Sequence, residues 1–223
     1  MTRSRAETAT NHAGDRNWRS FEPLGLSPIL TAALEVFQEH GFHGASVREI
    51  ARRVGQTVPA LYYHHENKEA ILVALLEVGT EDVAWRVRAA SAEAPGRPDL
   101  QFVYVVQAIV LHVTRRLRLA QVDTELRYLS PPKRRRYATR RKAVENALAD
   151  IVVDGLKQDM FAAVDPAETA RALLGMCQSI SRWYLPDGPL TPEQIADRYV
   201  DIALMTVGIS ERPRDAPPLR KAA

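Results

Sequence analysis

The chain has 223 residues, 46% apolar and 26% charged, with a net charge of +3; this is an ordinary globular composition for one or two domains with a real core. One cysteine excludes an internal disulfide framework and suits a reducing compartment. The first twenty residues lack an apolar signal segment, and the longest apolar run, Val103 to Val113, is too short to span a membrane, so a cytoplasmic protein is expected.

Residues 1–22 have no periodicity and are expected to form a mobile arm. Helical spacing then dominates, with no internal repeat and hardly any strand-like alternation. The first helix opens at Ser27-Pro28, buries Ile29, Ala33 and Phe37, and stops at Gly41, where Phe42 can supply the accompanying apolar contact. The second opens at Ser46, with Glu49 placed to close a capping box, buries Val47, Ile50, Ala51 and Val54, and ends at Gly55. The third is capped by Thr57, has Pro59 in its first turn and turns Leu61 inward, with His65 on the same side. Asn67 caps a longer helix from Lys68 to about Ala90. After the break "SAEAPGRPD", helices are predicted from about Leu100 to Ala120, Asp123 to Leu129, Pro132 to Met160, Pro166 to Tyr184 and Thr191 to Ile209. The proline-rich tail, 211–223, is expected to be disordered. The predicted fold is all-α: a helix-turn-helix unit over 23–70, followed by a helical bundle over 71–210.

Two short helices joined by a Gly-containing turn form the arrangement whose second helix enters the DNA major groove. The same pairing also occurs as plain structure, and surface tyrosines are common packing groups. Residues 1–70 hold eight Lys/Arg and eight Asp/Glu, so a nucleic-acid footprint must come from placement rather than bulk charge. Adjacent His64 and His65 project apart and make a poor metal pair, and no metal or cofactor is expected. The stretch "SVREIARRVGQTVPALYYHHENKEAIL", Ser46 to Leu72, resembles the DNA-binding domain of TetR-family transcriptional regulators. The resemblance covers about residues 27–75 and rests on Ser46, Arg48 to Ala51, Gly55, "LYYH" and Asn67-Lys68-Glu69. It departs from the family pattern at Gln56, Pro59 and His65. It implies phosphate contacts from Ser46, Tyr62, His64 and Lys68, a guanine contact from Arg48, and a groove-facing edge of Thr57, Val58, Pro59, Ala60 and Tyr63. That edge has no Arg, Asn or Gln, so Val58 to Ala60 offer only apolar contact, best suited to thymine methyls.

Such units read two half-sites as a dimer. The last two helices each carry a surplus apolar stripe: Ala172, Met176, Ser179 and Trp183 on one, with Ile195, Tyr199 and Ile202 beside Val200, Ala203 and Val207 on the other. They suit a two-chain interface, or equally the core of a monomer. On the long helix the apolar line Val144, Leu148, Ile151, Gly155 extends backwards through Arg141, Tyr137 and Arg134; a guanidinium there must snorkel or meet an anion, whether Glu125, an aspartate or a ligand. Tyr104, Gln107 and His112 are possible polar anchors. The residues predicted to line a ligand site are Tyr104, Gln107, Arg127, Tyr137, Arg141, Met176, Cys177 and Ile180. "SRWYLPDGPLTPEQIADRYVDIAL", Ser181 to Leu204, is similar to a TetR branch regulating fatty-acid, aromatic-acid or steroid catabolism, several of whose members respond to coenzyme A thioesters. This resemblance implies an acyl-CoA effector. The reading is a repressor, dimeric on a palindromic operator and released by that effector. The alternatives are an activator of the same fold, or a DNA-binding protein without an effector. No nucleophile–base pair or glycine-rich phosphate cradle points to an enzyme.

Overall fold

The computed structural model describes residues 17–163, 165–216 and 218–219. Among them are nine α-helices, one 3₁₀ helix and no strand. The helices are α1 Pro28–Gly44, α2 Val47–Arg53, α3 Val58–His64, α4 Lys68–Ala92, α5 Pro98–Arg115, α6 Leu117–Val122, α7 Pro131–Lys157, α8 Pro166–Trp183 and α9 Pro192–Thr206; the 3₁₀ helix, Asp123–Tyr128, follows α6.

Helix starts follow side-chain chemistry. Ser27 Oγ accepts from Leu30 N (3.3 Å), Thr57 Oγ1 from Ala60 N (3.3 Å) and Asn67 Oδ1 from Ala70 N (2.8 Å), each satisfying an amide the helix cannot. The capping box expected at Ser46 does not form. Ser46 Oγ accepts from Arg48 N instead, because Glu49 turns its carboxylate to Arg53 (2.8 Å). Gly41 (φ 65°) interrupts α1 where the stop was expected, and one further turn seats Phe42 against Phe37. Gly55 takes φ 65° in the α2–α3 turn, a conformation costly for any residue with a Cβ.

Two cores result. One gathers α1, α2, Leu61 of α3 and the start of α4, and is closed from the bundle side by Leu119, Val122, Leu129 and Tyr137. The other packs α5 against α4, α7, α8 and α9 around Phe102, Val106, Leu148, Leu173 and Val200. The single helix expected over 100–120 is broken at Arg116 (φ −113°, ψ 33°). That break turns Leu119 and Val122 away from the bundle and into the smaller core.

Both termini depart from expectation within the described residues. Of the predicted arm, residues 17–22 are docked: Trp18 is buried, and its indole Nε1 donates to Glu93 (2.6 Å). The buried Arg86 donates to the carbonyls of Trp18 and Ser20 and lies under the Phe21 ring (3.5 Å). In the predicted disordered tail, Arg212 pairs with Asp197 (2.9 Å) and Asp201 (2.9 Å), and Ala216 is buried. Residues 1–16, 217 and 220–223 lie outside the described residues. Isolated apolar groups in polar sequence have no periodicity to announce them, yet each finds a slot on the bundle.

A candidate DNA-reading edge and an effector cavity

Leu61 is fully buried and is the one buried side chain of α3. Everything around it on the seven-residue helix faces outward. Thr57, Pro59, Ala60, Tyr62, Tyr63 and His64 are exposed, and Val58 is half-buried against the α1–α2 core. Tyr63 is 89% exposed, with only the edge of His64 at 5.4 Å beside it. Leaving a tyrosine so bare forgoes its large burial contribution. Ser46 and Arg48 stand exposed at the start of α2. Of the other two α2 arginines, Arg53 is held by Glu39 (2.5 Å) and Glu49 (2.8 Å). Glu39, His40 and Glu49 approach within metal-ligating distance, but Arg53 occupies both carboxylates.

Lys68 has a different place from the phosphate contact expected of it. Its Nζ donates to the carbonyls of Phe42 (2.6 Å), His43 (3.3 Å) and Ala45 (3.0 Å) and sits 4.6 Å from the Phe42 ring. All three ammonium donors are met within the chain, clipping the end of α1 to the start of α4. Charge-assisted bonds of this kind contribute about 1.5–3 kcal/mol each. Lys68→Ala is expected to lower the melting temperature of the N-terminal unit, and to leave unchanged the slope of log affinity for DNA against log salt. A slope shallower by about one would restore the phosphate role.

A cavity of about 780 Å³ opens between α4, α5, α6, α7 and α8. Its buried wall is mostly apolar, with Leu75, Leu76, Ile109, Val113, Leu119 and Val144. Five cations, Arg127, Arg141, Lys142, Arg171 and Arg182, line it against two acids, Asp123 and Glu145; all five but Arg141 are exposed. Arg141 lies 3.7 Å from Asp123, so the anion that the long-helix stripe demanded is an aspartate. Arg171 leans on Glu145 (3.5 Å), while Arg182 has no ion-pair partner among the described residues.

Of the residues predicted to line a ligand site, the cavity brings together Arg127, Tyr137 and Arg141. The other five lie elsewhere. Tyr104 packs beside Trp18 (6.3 Å) and donates to the Asp215 carbonyl (3.3 Å). Gln107 is buried away from the cavity, its Nε2 without a partner. Cys177 and Ile180 are packed in the bundle core, where burial pushes the Cys177 thiol up to about 12. Met176 is half-buried against that same core. Arg171, Gln178 and Arg182 were missed; their helical spacing beside Leu174 was the available signal.

Four wall residues, Leu75, Leu76, Leu119 and Tyr137, also belong to the core beneath the helix-turn-helix. Tyr137 Oη bridges Asp123 (2.5 Å) and Thr80 (2.9 Å), and burial raises its phenol well above the ordinary tyrosine range. Along α8, α9 and the segment between them, Trp183, Leu185, Ile202 and Met205 stay exposed beside half-buried Tyr199.

Two family models match this chain: one for bacterial regulatory proteins of the tetR family over residues 29–75, and one for the C-terminal domain of tetracycline-repressor-like proteins over 95–207. The HTH-type transcriptional repressor KstR2 of Mycobacterium tuberculosis is 25% identical over 178 residues, covering 79% of this chain and 89% of that protein. A tetR-family regulatory protein from Rhodococcus RHA1 superposes with a TM-score of 0.77 at 29% identity, covering 82% of this chain and 97% of that one. AibR, solved with isovaleryl coenzyme A and operator DNA, superposes with a TM-score of 0.70 at 30% identity, covering 78% and 95%.

Proposed function

The chain belongs to the TetR family of bacterial regulatory proteins and is a transcriptional regulator; from that premise we propose a repressor that binds a palindromic operator as a dimer and is released by an acyl-CoA thioester. The α8–α9 face with Trp183, Ile202 and Met205 supplies the contact between the two copies. Their α3 helices then enter successive major grooves about 34–36 Å apart, or a multiple of that. The tyrosines, His64 and the exposed Ser46 hydroxyl position each unit on phosphates.

Base reading falls to Arg48, since Val58, Pro59 and Ala60 can offer only methyl contacts. Arg48→Ala is expected to cost roughly 1–3 kcal/mol and to relax preference for guanine at one position per half-site. Binding to the operator and its single-base variants in unchanged order, measured by fluorescence polarisation, contradicts that role.

The observation that supports the effector most is the pairing of an apolar cavity with a cationic rim. A ligand with a greasy body and a multiply anionic head matches both halves, as the thioesters of lipid, steroid or aromatic-acid catabolism do. The isovaleryl coenzyme A bound by AibR is of that class. A ligand seated on Leu75, Leu76, Leu119 and Tyr137 touches side chains that also support the DNA-binding unit. It can therefore favour one setting of α4 over another and shift the population away from the DNA-competent arrangement. Fluorescence polarisation on operator DNA with a broad acyl-CoA panel tests this. Loss of affinity with at least one thioester is expected, and no change across the panel removes the assignment.

A further inference from the structure

Among the buried polar groups of the cavity wall, most are satisfied internally. Thr80 Oγ1 donates to the Leu76 carbonyl or to Tyr137, Tyr137 Oη bonds Asp123, and Ser181 Oγ donates to the Gln178 carbonyl (2.9 Å). His112 is different. It interrupts an apolar stretch of α5, between Ile109 and Val113, and is only 7% exposed. Its Nδ1 lies 3.1 Å from Asp82 Oδ2, whereas Nε2 has no hydrogen-bond partner among the described residues. His112 lines the cavity and Asp82 does not, and Nε2 lies on the ring edge turned away from the aspartate.

The identity of that edge follows from its neighbour. Asp82 is a buried carboxylate that Arg86 Nε bonds at 3.0 Å, with Arg116 Nε at 3.6 Å. Burial opposes its ionisation, but the hydrogen bonds from His112 and Arg86 outweigh it and hold the carboxyl well below the usual range. A carboxylate only accepts, so Nδ1 must carry the proton. Burial, aided by the charges of Arg86 and Arg116, lowers the imidazole's own proton affinity against the pull of Asp82. The ring is then neutral, and Nε2 carries a bare lone pair.

We propose that His112 is a specificity-determining residue for the effector: its Nε2 accepts a hydrogen bond from a hydroxyl or N–H borne on the deep, otherwise apolar part of that ligand. The inference rests on the cavity being the effector site, as argued above. A plain saturated acyl group displaces water from Nε2 and leaves it unmet, and an acceptor such as a ketone at the same depth is worse. Either mismatch should weaken binding about tenfold to a hundredfold relative to a matched donor.

Two measurements on the full chain test it. Nitrogen-15 NMR of histidine-labelled protein reports the His112 tautomer without any ligand; a proton on Nδ1 alone is expected, and an Nε2–H tautomer or an imidazolium overturns the proposal. Calorimetric titration then compares a homologous series of saturated acyl-CoAs with ω-hydroxyacyl-CoAs of matched lengths. At one or more lengths the hydroxylated member should bind at least tenfold tighter. That preference should vanish in His112→Phe and be partly kept in His112→Gln, whose amide can face both Asp82 and the ligand. Equal binding of the two series overturns the role of His112 while leaving the thioester reading intact. If neither series binds, the thioester reading falls and this proposal with it.

Discussion

Leu61→Ala is expected to destabilise the N-terminal unit by about 2–5 kcal/mol and to abolish operator binding. Leu61 is the sole buried side chain of α3, and seven residues are far too few to hold a helix in water unaided. Removing the isobutyl group leaves a void in the small core and releases the helix that carries the exposed edge. Tyr63→Ala is the informative contrast. With 89% of its surface in water and no hydrogen bond among the described residues, its loss should change stability by less than about 0.5 kcal/mol while still weakening DNA binding. Urea unfolding and fluorescence polarisation on the two variants separate anchoring from contact. Equal stability losses at the two positions would contradict the division.

Asp82→Ala is expected to cost about 3–5 kcal/mol, because it removes the buried carboxylate paired with Arg86 and the acceptor that orients His112. The same group contributes to the acid side of the stability profile. The Asp82 carboxyl is depressed in the folded chain, so its contribution is complete above the ordinary aspartate pKa of about 4 and drains away as the pH falls below that. His112 acts with the same sign at higher pH. The unfolded imidazole takes up a proton near about pH 6.5 that the buried one resists, so stability begins to fall below that value. Melting temperatures of the wild type should decline between about pH 6.5 and 4. His112→Gln should flatten the upper part of that decline, and a profile unaltered by the substitution would remove His112 from it. The group also holds the Trp18 and Ser20 carbonyls through Arg86, so the Asp82 variant should also loosen the segment leading into α1.

Much of the fold was legible because helix signals are local. Ser27, Thr57, Asn67 and Thr191 announce starts through their own backbones, and the period of Ile29, Ala33 and Phe37 gives a face directly. The exposed edge was legible for the same reason: Leu61 is the one long aliphatic side chain of the short helix, and turning it inward orients the rest. The cavity was harder to read, because periodicity gives stripes without saying which neighbour each one meets. On α8, Cys177 and Ile180 face the bundle core, while Leu174, Gln178 and Arg182, a fraction of a turn away, face the opening. Tyr104 and Gln107 likewise lie away from the opening, one beside Trp18 and the other buried. The break at Arg116 had no glycine or proline to mark it; it follows from the tertiary demand that Leu119 and Val122 close the small core. His112 stood out as a polar residue in an apolar run, but its partner Asp82 lies thirty residues away on another helix, beyond any local pattern.

Everything proposed here depends on paired chains that set two bare α3 edges into one duplex. Selection of bound sequences from a randomised DNA library by the full-length protein, followed by the stoichiometry on the enriched duplex, tests it most directly. A two-fold symmetric site with guanine at a matching position of each half, bound by two chains, is the expected result. A library that yields no symmetric sequence, with affinity no better than for arbitrary duplex at the same salt, contradicts it.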